Sequence, residues 1–181
     1  LSVLFSKKDN ILVFPTGLIS TAVFVYILSV YGLLGDMMIN GYYFIMSVYG
    51  WYMWTRKVDA THYIPIQKTT RKEHYISLFI FLGTVAFVIM VYSLFKKWDS
   101  WTAYVDTITT GLFFVGMWLM AKKKVENWVY WIVGDLISIP LYFYKGLGLT
   151  AFQYILFTII AYYGYKAWLK QTNIAKTDLL K

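Results

Sequence analysis

The stretch KKKVENWVYWIVGDLISIPLYFY, residues 122–144, opens with three lysines and continues as an apolar block interrupted by one internal carboxylate, Asp135. About 20 apolar residues in a helix cross about 30 Å of hydrocarbon, and a lysine cluster at one end marks the side that stays in the cytoplasm. Five further blocks have comparable length and character: residues 11–34, 37–54, 75–95, 101–121 and 147–165. The chain is 59% hydrophobic and only 14% charged, whereas soluble domains are about half apolar and a quarter charged. In hydrocarbon each backbone amide must be paired within its own segment, so helices are the natural spanning form. Short alternating strands, as a membrane barrel would need, are absent from the sequence. The expected fold class is therefore an all-α transmembrane bundle.

The net charge of +8 invites a nucleic-acid interpretation, which the placement of the charges opposes. If successive blocks cross in alternate directions, most of the 17 Lys and Arg fall on one side, and only Lys96, Lys97 and Lys145 fall on the other. The positive-inside rule makes the crowded side, with the C-terminus, cytoplasmic. The basic residues are then topology signals with a secondary affinity for anionic lipid, and no nucleic-acid partner is expected. Trp98, Trp101, Trp128, Trp168 and Tyr75 stand near block ends, where an interfacial aromatic belt is the expected explanation for each. There are no cysteines, and His62 and His74 both fall in a polar stretch, so neither a metal site nor a cofactor is expected.

An internal repeat runs through the chain. Gly32, Tyr49-Gly50 and Trp54 recur 114 residues later as Gly146, Tyr163-Gly164 and Trp168, each set followed by a basic residue, Arg56 or Lys170. Upstream, Lys7-Lys8-Asp9-Asn10 resembles Lys123-Lys124-Val125-Glu126-Asn127, with Gly17 and Gly134 seven residues beyond each Asn. That second match implies a slightly larger offset, and hence a small insertion within one helix. Both copies run in the same direction, so the repeat is parallel, as in the SWEET transporters. The second copy has a full helix before Lys122, whereas the first has only Leu1–Phe5 before Lys7. Residues 1–5 are expected to be the remnant of a first helix that is largely missing, in a 3+1+3 plan. The expected division is residues 1–55, a cytoplasmic loop at 56–74, a linker helix at 75–95, a second unit at 101–168, and a cytoplasmic tail at 169–181.

Asp106 and Asp135 lie inside apolar blocks. A carboxylate at helix centre costs about 2.5–3.5 kcal/mol on insertion scales, so it normally faces a cavity or a partner. Asn127, Trp131 and Asp135 follow each other at four-residue spacing, with Trp128 beside them, and so share a helical face. An amide, an indole plate and a carboxylate suit a flat, polar, cationic ring joined to hydroxyls. Asn40 aligns with Tyr154 in the repeat, and Gln153 lies at the same depth. Ser47, Tyr49 and Tyr163 are further candidates to line a shared site, with Trp51 or Tyr49 closing over it. Structural hydrogen bonds between helices are the competing explanation for each polar residue. Gly17, Gly32, Gly50, Gly116, Gly134 and Gly164 are expected to permit close helix approach, and Pro140 to kink its helix. No phosphate-binding loop of the G-x-x-x-x-G-K-[ST] type and no nucleophile–base set is present, so an ATP-driven machine or an enzyme is not expected.

Val125-Glu126-Asn127-Trp128-Val129-Tyr130-Trp131 after a basic run, together with Tyr49-Gly50-Trp51-Tyr52-Met53-Trp54 and the upstream Asp106, resembles the PnuC family of bacterial vitamin transporters over nearly the whole chain. The resemblance implies a seven-helix, SWEET-like protein of the bacterial inner membrane. Its implied activity is uptake of nicotinamide riboside by facilitated diffusion with alternating access, the substrate being trapped by phosphorylation in the cytoplasm. Relatives carry riboflavin or thiamine, so the vitamin class is better specified than the vitamin. An ion-coupled carrier with Asp106 or Asp135 as titrating group, and a non-transporting membrane scaffold, are the alternatives. Related folds associate, which leaves a homo-oligomer open.

Overall fold

The computed structural model describes residues 2–30, 34–57, 64–96 and 100–178. Gly32, Asp59, His62, Lys97, Trp98 and Asp99 lie outside the described residues. Among the described residues there are seven helices: α1 (Ser2–Lys7), α2 (Val13–Val30), α3 (Leu34–Thr55), α4 (Arg71–Leu94), α5 (Thr102–Ala121), α6 (Asn127–Tyr144) and α7 (Gly148–Asp178). Each of the six apolar blocks corresponds to one of the helices α2 to α7. Three boundaries differ from expectation, the first being that α3 starts at Leu34 rather than at residue 37. α7 continues well past residue 165, because Ala167, Leu169, Lys170 and Gln171 are good helix formers. His74 is in the first turn of α4 rather than in a loop. That helix starts early because Thr70 caps it: the Glu73 N–H donates to Thr70 Oγ1 at 3.3 Å, and the Thr70 N–H donates to Glu73 Oε2 at 2.9 Å, a reciprocal capping box. α6 runs through Pro140 to Tyr144 as one helix.

Large apolar side chains cover the outside of the bundle; Phe79 is 78% exposed and Leu149 90%. A soluble protein does not tolerate such a surface, and only hydrocarbon solvates it. α2, α4 and α5 are also long and apolar enough on their own to cross a membrane. α5 is the central helix, with twelve buried residues on a 20-residue length, and it contacts α3, α4 and α6.

The repeat is visible as equivalent contacts at a constant separation of 114 residues. α1 ends with the Asp9 N–H donating to the Ser6 carbonyl (3.0 Å) and the Asn10 N–H to the Phe5 carbonyl (2.9 Å). α5 ends with the Lys123 N–H donating to the Met120 carbonyl (2.9 Å) and the Lys124 N–H to the Leu119 carbonyl (2.9 Å). Both are Schellman endings, and both place a non-glycine residue in the left-handed region, Asp9 at φ 52° and Lys123 at φ 53°. The Trp54 indole N–H donates to the Met120 carbonyl at 3.2 Å, and the Trp168 indole N–H donates to the Ser6 carbonyl at 3.1 Å. Each copy thus caps a helix end of the other.

This register corrects the sequence alignment of the first helix pair. No insertion is needed: Lys8-Asp9-Asn10 corresponds to Lys122-Lys123-Lys124, and Gly17 corresponds to Trp131, not to Gly134. Runs of like charge align with one another at several offsets, whereas the left-handed residue and its two hydrogen bonds align at one. Close approach is also repeated. A Cβ on Gly50 would collide with the Phe14 ring, and one on Gly164 would lie 2.7 Å from the Trp128 ring; these two rings are themselves equivalents.

The stretch before α4 is strapped to the α5–α6 junction. The Gln67 N–H donates to the Lys123 carbonyl (3.0 Å) and the Val125 N–H to the Gln67 carbonyl (2.9 Å). Thr69 bonds Glu126 Oε2 through its N–H (2.7 Å) and its hydroxyl (2.6 Å). Lys124 Nζ lies 3.1 Å from Glu73, and Ile66 is buried beneath.

Candidate functional site

A cavity of about 310 Å³ lies among α1, α2, α3, α5, α6 and α7, inside the range of small-molecule sites. α6 contributes Trp128, Trp131 and Asp135, at i, i+3 and i+7, a single stripe on a 3.6-residue helix. Gly116 lets the Trp131 ring lie against α5, since a Cβ there would be 3.2 Å from it. Trp131 stacks on Phe113 at 5.3 Å and 25°, Phe113 faces Tyr154 at 6.2 Å and 8°, and Tyr154 stacks on Tyr142 at 5.2 Å and 26°. Trp131, Phe113 and Tyr154 of this row of offset rings, a favoured aromatic geometry, line the cavity.

Asp135 is 2% exposed, and among the described residues its carboxylate makes no hydrogen bond or ion pair. The Trp128 indole N–H is likewise buried without an acceptor. Unpaired buried polar groups are costly, and a carboxylate in that condition beside a cavity is poised for a cationic or hydroxyl-bearing guest. Tyr43 and Ser47 of α3 and Gly17 and Thr21 of α2 also line the cavity.

Of the residues singled out from sequence, Ser47, Trp128, Trp131, Asp135 and Tyr154 come together around the cavity. The others do not. Asn127 is fully buried and donates Nδ2–H to the Lys124 carbonyl at 2.6 Å; it belongs to the helix start, so the stripe runs through Trp128 instead. Asp106 is paired with Lys145 Nζ at 2.6 Å, which gives it a structural partner. Gln153 is exposed on α7 and Trp51 is 42% exposed on α3, both on the outer surface. Tyr49 packs against the aromatic core around Trp54 and Trp168. Asn40 is half-buried on α3, outside the cavity lining, and Tyr163 lies 52% exposed beneath Lys7.

Sequence reasoning missed Phe14, Gly17, Thr21, Tyr43, Phe113 and Phe157, all of which line the cavity. The signal that would have found several of them is the repeat itself. Subtracting 114 from Trp128, Trp131 and Asp135 gives Phe14, Gly17 and Thr21.

Apolar helices enclosing an aromatic cavity with an unpaired carboxylate describe a membrane transporter, not an enzyme. The chain belongs to the nicotinamide mononucleotide transporter family, whose model matches residues 1–170. It is 26% identical to the nicotinamide riboside transporter PnuC of Escherichia coli (strain K12), over 87% of this chain and 75% of that one. It is 30% identical to the riboflavin/roseoflavin transporter RibM of Streptomyces davaonensis, over 68% of this chain and 58% of RibM. Among solved structures, a crystal structure of the vitamin B3 transporter PnuC superposes with a TM-score of 0.69 at 23% identity, covering 95% of this chain and 77% of that one; this establishes a common fold.

Proposed function

We propose that this chain carries nicotinamide riboside across the bacterial inner membrane by facilitated diffusion. The observation that carries the proposal is the unpaired, buried Asp135 carboxylate beside the Trp131 plate. The nicotinamide ring of the riboside is flat and cationic. A tryptophan face attracts such a ring by about 0.5–2 kcal/mol, and a carboxylate supplies the countercharge within a medium that screens poorly. The cavity of about 310 Å³ is near the small end of ligand sites, which suits a nucleoside better than a flavin.

The proposed architecture is SWEET-like, with residues 1–55 and 101–168 as parallel units joined by the linker helix at 75–95. The end bearing Lys122, Lys123 and Lys124, with the C-terminus, faces the cytoplasm. Rocking of the two units about the cavity would open it alternately to each side. A second reading, carriage of riboflavin, is favoured only by the similarity to RibM.

Calorimetric titration of the purified protein with nicotinamide riboside, riboflavin and thiamine tests the substrate; saturable binding of the riboside alone is expected. Binding of riboflavin but not of the riboside would overturn the assignment, and binding of none would favour a scaffold. Uptake into proteoliposomes with and without an imposed pH gradient tests coupling. Accumulation driven by the gradient would refute facilitated diffusion and implicate Asp135 as a proton carrier.

A further inference from the structure

The cavity lining obeys the repeat, but its chemistry does not. Apart from Val13, Phe113 and Tyr154, every lining residue has a partner 114 positions away that also lines the cavity. Three of these pairs are decisive: Gly17 with Trp131, Thr21 with Asp135, and Ser47 with Ala161. The second copy contributes the plate and the carboxylate. The first contributes an absent side chain and two hydroxyls. A symmetric scaffold therefore holds an asymmetric site, with the indole plate and the carboxylate supplied by one copy and the two hydroxyls by the other.

The hydroxyls have a defined polarity. Thr21 Oγ1 already donates to the Gly17 carbonyl at 2.8 Å, and Ser47 Oγ to the Tyr43 carbonyl at 2.8 Å. A hydroxyl has one proton and two lone pairs. With the proton committed to their own helix, Thr21 and Ser47 can offer a ligand lone pairs only, and so they select groups that donate. Gly17, one turn from Thr21 on the same face of α2, lines the cavity without a side chain where the equivalent position on α6 carries the Trp131 ring.

We infer that Gly17 and Thr21 form a subsite for the hydroxyl-bearing end of the substrate and determine specificity for a riboside over its bare ring. The inference rests on the nicotinamide riboside reading and deepens it. The ring lies against Trp131 and Asp135, and the sugar lies at Gly17, donating to Thr21 and Ser47. The binding orientation follows from which copy lacks the side chain.

Two ligands that share the cationic ring separate these roles: nicotinamide riboside and 1-methylnicotinamide, in which a methyl group replaces the sugar. Each is titrated into purified wild type and into Thr21→Val, Thr21→Ser, Gly17→Ala and Gly17→Leu, with thermal unfolding as the check on folding. Thr21→Val is expected to weaken riboside binding about 10-fold, the loss typical of an unpaired donor, and to leave 1-methylnicotinamide unaffected. Thr21→Ser, which keeps the oxygen, should bind the riboside as wild type does. Gly17→Leu should abolish riboside binding, and Gly17→Ala should reduce it, again with the methylated ring retained. Wild-type riboside affinity in folded Thr21→Val and Gly17→Leu overturns the inference alone, as does an equal loss for both ligands. A wild-type protein that binds neither ligand overturns the substrate reading, and the subsite with it.

Discussion

Asp9 and Lys123 are repeat equivalents, 114 positions apart, and they form an ion pair, with Lys123 Nζ 2.9 Å from Asp9 Oδ1 and 3.1 Å from Oδ2. Identical residues at such a place would confront like charges across the pseudo-symmetry axis. Divergence into one acid and one base turns that repulsion into attraction. Burial raises the Asp9 carboxyl above its ordinary range, and Lys123 acts in the opposite direction. One turn earlier the same axis passes between Ser6 Oγ and Met120 Sδ, 3.2 Å apart. The two copies are fastened to each other at this end of the bundle.

Breaking the fastening should be measurable. Asp9→Ala leaves Lys123, which is nearly buried, without its partner, and should cost about 3 kcal/mol. The charge exchange Asp9→Lys with Lys123→Asp should recover part of that loss. Thermal unfolding of the purified variants decides the matter: a double variant no more stable than its singles would mean that the pair is incidental.

The reciprocal caps should be energetically equal. Trp54→Phe and Trp168→Phe each remove one indole N–H from a carbonyl of the other copy while retaining most of the ring. Each is expected to cost about 1 kcal/mol. Chemical unfolding curves in which one substitution is neutral and the other severe would contradict the equivalence.

Glycines at contact points should tolerate no methyl group, and others should welcome one. Gly164→Ala drives a Cβ to 2.7 Å from Trp128, and because Trp128 lines the cavity, ligand affinity should fall together with stability. Gly41 has nothing within 4 Å of its missing Cβ, so Gly41→Ala should stabilise α3 by up to about 1 kcal/mol. Unfolding and ligand titration of the two variants in parallel provide the comparison.

The two internal carboxylates should separate cleanly. Asp135→Asn is expected to weaken binding of the cationic ring about 10-fold, which corresponds to about 1.4 kcal/mol. Asp106→Asn removes only a partly exposed pair with Lys145 and should cost about 1 kcal/mol of stability or less, with affinity intact. The reverse pattern in calorimetry would move the binding site to the Lys145 end of the molecule.

Much of the architecture was legible because hydrocarbon imposes it: six apolar blocks became six helices. The 114-residue repeat was readable from Gly50 and Gly164 or Trp54 and Trp168, whose type is constrained by packing. It was misread at Lys8 and Lys122, where several alignments of like charges look equally good. The site was half legible. Trp131 and Asp135 are anomalous enough in an apolar helix to declare themselves. Asn127 and Asp106 looked equally anomalous, but Asp106 pairs with Lys145, and Asn127 donates its amide N–H to the Lys124 carbonyl at its own helix start, outside the cavity lining. Thr21 attracts no notice in sequence, and Gly17 reads only as a point of close helix approach, since a threonine and a glycine are ordinary in a membrane helix.

The sequence by itself determined that this chain is helical, lies in a membrane and repeats, because the distribution of apolar and basic residues along a line is enough to specify each of those. Only the tertiary structure decided which polar groups remain unpaired around a common space, because hydrogen-bond satisfaction depends on what a neighbouring helix presents. Asp135 and Asp106 are chemically the same residue in similar local sequence; a lysine 2.6 Å away distinguishes the structural one from the one that faces the cavity.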